Sequence, residues 1–138
     1  MMKKYRHENG QSILEFALIL PLILVIIGGI IDFGWLFYNQ SELNDAARVG
    51  TRFATVNCGQ NSLAVRTTAI QTKVNSIAPA SVKPIAFTIT YSNVNSPLAG
   101  DVTVTLKSNI KILTPVMGVF TKGQTKLLTG SVTMKVES

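Results

Sequence analysis

Residues 13–38 read ILEFALILPLILVIIGGIIDFGWLFY, and between Phe16 and Ile31 they carry no charged side chain. Only Pro21, Gly28 and Gly29 interrupt the aliphatic run, so a helix here offers apolar side chains on every face and suits hydrocarbon. At a rise of about 1.5 Å per residue, Phe16 to Tyr38 reaches about 34 Å, enough to cross a hydrocarbon core of roughly 30 Å once with some tilt. Trp35 and Tyr38 stand near the far end, where amphipathic aromatics favour the membrane–water boundary. Membrane lipid is thus the first expected partner. A short basic tail ending in Gly10 precedes the run, and a carboxylate, Glu15, already lies in apolar company.

The chain has 138 residues and a net charge of +6. With about a quarter of it in or beside the apolar run, roughly 80 to 100 residues remain, enough for one small domain. Lys3, Lys4 and Arg6 form a compact cluster next to the span, which predicts a cytoplasmic amino terminus and an exported remainder. The basic residues are not interleaved with aromatics and sit in no binding motif, so nucleic acid is not an expected partner. Cys58 is the only cysteine and has no intrachain disulfide partner. It reads either as a small buried hydrophobe near a helix end or as a bridge between subunits. His7, the only histidine, lies in the basic tail without a second metal-ligand side chain, so no metal or cofactor is expected. Beyond Tyr38 the acids are Glu42, Asp45, Asp101 and Glu137, which compose neither a nucleophile–base pair nor a metal site. The sequence is read as that of a non-enzyme.

The helical pattern continues past Tyr38, because Leu43, Ala47, Gly50 and Ala54 recur at spacings of four, three and four. Glu42, Asp45, Arg48 and Arg52 fall mostly on other faces, which predicts a single rod to about Val56. Ala46, Ala47, Gly50 and Ala54 are small and suit either a close helix–helix contact with another subunit or a strip against this chain's own sheet. Asn57-Cys58-Gly59 supplies a stop. A second amphipathic helix follows over 62–77, with Leu63, Ile70, Val74 and Ile77 on one side. From Pro79 the composition turns to Val, Ile, Thr and Phe. Residues 85–91, 101–113 and 126–136 alternate apolar and polar side chains as half-buried strands do. Residues 93–100 suit a hairpin loop and 115–121 a short helix. The expected class is α+β: a long transmembrane helix continuing into an exported amphipathic helix, a second short helix, then a small antiparallel sheet packed on the helix.

At the threshold of the apolar run the residues are Gly10, Gln11, Ser12, Ile13, Leu14, Glu15 and Phe16: a Gly, four residues, then Glu-Phe. Here the sequence resembles the type IV pilin superfamily, and within it the TadE-like minor pilins, or pseudopilins, of the tight-adherence (Flp) pilus. The resemblance runs through EFALILPLIL, GIIDFGWLFY and residues 44–50, NDAARVG, and is strong over Gly10 to Ala54. It implies a prepilin peptidase cutting between Gly10 and Gln11, so that Glu15 becomes the fifth residue of the mature chain. It also implies other pilins and an inner-membrane assembly platform as partners, and an acidic residue at Asp32 that contacts a partner pilin or faces interfacial water. Pilins often begin with Phe, and Gln11 departs from that pattern, which bears on amino-terminal methylation more than on cleavage. The expected organisation is a leader over 1–10, a pilin-like helix over 11–56 with the span at about 16–38, and an exported part over 57–138.

Chemistry supports the same assignment. A Gly ahead of a scissile bond lets the peptide enter a protease cleft extended, and the basic cluster holds that bond at the cytoplasmic face. An acid inside an apolar helix is costly and seeks a partner, or else snorkels to the headgroups. Cleavage creates a partner, since the ammonium of Gln11 lies at the same depth as a neighbour's Glu15. The competing reading is an uncleaved signal anchor carrying a periplasmic scaffold or binding domain.

Overall fold

The computed structural model describes residues 8–57, 62–93, 100–115, 118 and 123–136. The basic leader residues Lys3, Lys4 and Arg6, together with His7, Cys58 and Gly59, lie outside them, as do most of the expected 93–100 loop and 115–121 helix. The element order is α1 (Glu8–Val56), α2 (Leu63–Ile77), a 3-10 turn (Ala80–Val82), β1 (Ile85–Tyr91), β2 (Asp101–Lys111) and β3 (Thr125–Lys135). This is the expected α+β arrangement.

Helix α1 has 49 residues, a rod of about 74 Å. It runs through Pro21 without a break in the helix, although Pro removes one backbone donor there. Ser62 precedes α2 with an extended backbone and makes no side-chain cap. The strands form one antiparallel sheet in the order β1-β2-β3. Register places Phe87, Leu106 and Gly130 in one row, and Ile89, Val104 and Val132 in the next. The period-two pattern sends Val102, Val104, Leu106 and Ile110 inward, all essentially inaccessible. On the opposite face Thr103 pairs with Thr133 and Thr105 with Ser131 through hydroxyl hydrogen bonds of 2.8 and 2.9 Å.

The core lies where α1 and α2 cover this sheet. Leu43, Ala46, Ala47 and Ala54 of α1 join Ile70 and Val74 of α2, Val82 and the inward residues of β2. Of the two uses open to the small-residue strip, the fold takes the strip against its own chain. A Cβ on Gly50 would lie 2.7 Å from Val74 Cγ2, and one on Gly130 would lie 2.8 Å from the Leu43 carbonyl oxygen. Small residues thus set how closely α2 and β3 approach the rod. On α2 only Ile70 and Val74 are buried, while Leu63 and Ile77 at its ends stay exposed. The Arg66 guanidinium lies 5.7 Å from the Tyr91 ring centroid, a cation–π contact between α2 and the sheet.

Candidate functional site

The amino-terminal edge of the rod is bare. Gly10, Gln11, Glu15 and Phe16 all belong to α1 and are all exposed. Among the described residues nothing pairs with the Glu15 carboxylate. A Cβ on Gly10 would meet nothing within 4 Å, and its backbone is not in the left-handed region, so the fold itself places no demand for Gly there. The backbone at Gly10–Gln11 is helical and not extended. Because it lies in the first turns of a helix, where amide groups lack intrahelical partners, unwinding it costs less than opening the interior.

Above this edge the rod continues unclothed. From Ile13 to Ile27 every apolar residue except the half-buried Val25 is exposed, with Leu18 at 74% and Ile13 at 68% of full accessibility. By length and composition this helix qualifies to cross a membrane. It fits a single-pass anchor.

Among the described residues the domain reaches the rod at Gly28, where a Cβ would lie 3.6 Å from Thr114 Cγ2. One turn on, Asp32 is fully buried. Its Oδ1 accepts hydrogen bonds from the backbone N–H groups of Leu113 and Thr114, both at 3.0 Å, and its Oδ2 accepts one from the Thr114 hydroxyl. Trp35 Nε1–H donates to the Lys111 carbonyl at 3.2 Å, and its ring stacks on Tyr38 with centroids 6.1 Å apart. The expectation that water reaches Asp32 is corrected here: both carboxylate oxygens are taken up by the chain's own β2–β3 connection. Sequence reasoning missed this clasp between residues 32 and 113–114. Ile112 and Leu113 read locally as the end of a strand, so the sequence carries no signal that their neighbourhood closes on Asp32.

Higher on the seam, buried polar side chains make hydrogen bonds in turn, although Asn39 Oδ1 has no partner among the described residues. Asn39 Nδ2 donates to the Trp35 carbonyl at 2.7 Å, and the Thr51 hydroxyl lies 2.7 Å from Ala47 O and 3.2 Å from Val132 O. Gln40 Nε2 reaches the Thr129 carbonyl at 3.0 Å. An open apolar groove of about 670 Å³ lies between α1 and α2, lined by Phe53, Ala64, Val65, Thr68 and Ala69. It contains no acid, histidine or cysteine among its lining residues. Among the described residues no three His, Cys, Asp or Glu side chains gather as a metal site.

Comparison with known proteins gives one family: residues 10–52 match the family model described as TadE-like protein. The matched segment spans the bare edge, the unclothed rod, Asp32 and the upper seam as far as Arg52. No curated protein and no solved structure matches the chain.

Proposed function

From a chain that is TadE-like over residues 10–52, we propose a minor pilin of the tight-adherence type IV pilus, cut by prepilin peptidase between Gly10 and Gln11. TadE-like proteins are of a structural, non-enzymatic kind associated with the Tad pilus, and other pilus components are their partners. This chain's own activity is then self-association with related pilins.

In this reading Lys3, Lys4 and Arg6 keep the amino terminus in the cytoplasm, and the domain beyond the span is exported from the bacterial inner membrane. Gly10 serves the peptidase. The proposal is supported by a Gly at a position where its own fold accepts any side chain. Cleavage leaves an ammonium on Gln11, and the Glu15 carboxylate of a neighbouring subunit neutralises it. Each charge is costly in an apolar setting when alone, so the pair fixes the axial stagger of adjacent rods. Phe16 beside it contributes apolar surface to the same contact, and the inner-membrane platform receives the processed subunit.

The observation that carries this reading is the exposed Glu15 at the foot of an otherwise aliphatic rod, with no partner among the described residues. The helical backbone through Gly10–Gln11 favours the competing uncleaved anchor. The two separate on mass. Co-expression with an active prepilin peptidase is expected to yield a chain beginning at Gln11 by intact mass and amino-terminal sequencing. A chain still beginning at Met1 beside a cleaved control substrate would overturn the proposal.

A further inference from the structure

We infer that the β2–β3 connection, at Leu113–Pro115, sits in the headgroup–acyl boundary of the membrane, giving the exported domain a second lipid contact beside its own helix. The inference rests on the reading of α1 as a membrane span.

Length carries the argument. A helix crossing a hydrocarbon core of roughly 30 Å needs about 20 residues. Counted from Phe16, just past Glu15, such a span ends near Trp35; counted from Ile13, it ends near Asp32. Thr114 meets the rod at Gly28. That level is about 6 to 10 Å inside either end at 1.5 Å per residue, the depth at which interfacial segments lie. If the membrane stopped below Gly28, only residues 13–27 would span it, about 22 Å. Ile30, Phe33 and Phe37, exposed by 68%, 70% and 69%, would then stand in water.

The connection is built for that depth. Leu113 is 56% exposed and Pro115 is exposed, and no charged residue occurs from Ile112 to Thr121. Irregular backbone near hydrocarbon must have its polar groups satisfied by protein. Asp32 does this for the N–H groups of Leu113 and Thr114, and those donors satisfy an acid that would otherwise be costly at that level. The Ile112 N–H is taken by the Gln124 carbonyl at 2.8 Å. Trp35 hands its indole N–H to Lys111 at the same seam, and the exposed Lys111 and Lys126 stand at that end of the sheet, placed for anionic headgroups.

The test uses the full chain with Cys58→Ser, reconstituted at low density in vesicles of phosphatidylethanolamine and phosphatidylglycerol. Single cysteines replace Leu113, Leu22 in mid-rod and Thr88 on the outer sheet face, and each carries a nitroxide read by oxygen and nickel-chelate collision. The Leu113→Cys label is expected to show an oxygen-to-nickel ratio several-fold above that of Thr88→Cys and below that of Leu22→Cys. A water-like Leu113→Cys label with a lipid-deep Leu22→Cys label would overturn the loop contact and leave the span standing. Water-like labels at both positions would overturn the span as well. A Leu113→Cys label shielded only when partner pilins or crowded copies are added would mean a protein covers this surface, which overturns the lipid assignment.

Discussion

Between Leu43 and Ala54, α1 buries Leu43, Ala46, Ala47, Thr51 and Ala54 against the sheet and α2, whereas between Ile13 and Ile27 it buries nothing fully. Both stretches belong to one helix and carry apolar side chains. They differ in side-chain size and in angular distribution. The upper stretch places small residues on one stripe and leaves Asp45, Arg48 and Arg52 exposed, the compromise a helix reaches when water covers its back. The lower stretch spreads Leu and Ile all round, which only a nonaqueous neighbour rewards. Gly28 and Asp32 mark where one regime gives way to the other. Apolarity alone therefore does not say what a helix packs on; its periodicity does.

The comparison is broken most severely in the core. Leu106→Ala removes a fully buried side chain at the centre of β2 and is expected to destabilise the domain by about 2–5 kcal/mol. Leu18→Ala, on the bare stretch, is expected to leave the unfolding transition of the detergent-solubilised chain unchanged. Equal losses from both would mean that the lower rod packs on the domain.

Asp32→Ala strands two backbone donors and a hydroxyl at the boundary between the regimes. An expected loss of about 1–3 kcal/mol should appear with faster amide exchange at Leu113 and Thr114. Asp32→Asn, which keeps a carbonyl acceptor, should recover part of that protection. Unchanged exchange in both variants would remove the clasp from the account.

Glycine substitutions give the smallest effect and the sharpest contrast. Gly50→Ala forces Val74 to move and is expected to cost about 1 kcal/mol after the helix-propensity gain of Ala is counted. Gly10→Ala meets open space, so the domain's melting point should not fall. Any loss of processing in that variant then reports on the peptidase and not on the fold.

Most of the architecture was legible in the sequence because each element obeys a local period. The 3.6-residue recurrence of Leu43, Ala47, Gly50 and Ala54 ran to Val56, where α1 ends, and the alternation of residues 85–91 matches β1. Strand β2 ends at Lys111, two residues short of the expected 113, because Leu113 and Thr114 turn their N–H groups to Asp32 and leave the ladder. That contact joins residues 81 and 82 positions apart, and no local pattern encodes it. The same limit leaves both roles open in the sequence for Ala46, Ala47, Gly50 and Ala54, and the sheet and α2 packed on them decide between the two. At Gly10, Gln11 and Glu15 the chain supplies only a bare edge, because the chemistry proposed there belongs to a protease and a neighbouring subunit.

The bare stretch of α1 is held to exist for other subunits, with Glu15 as the charge that selects their register. The most direct test expresses Glu15→Ala beside the active peptidase and measures the chain in sheared, purified pili against the membrane fraction. The account predicts a variant cut normally to begin at Gln11 and retained in the membrane, without incorporation into the filament. Incorporation at the level of the unaltered chain would contradict it.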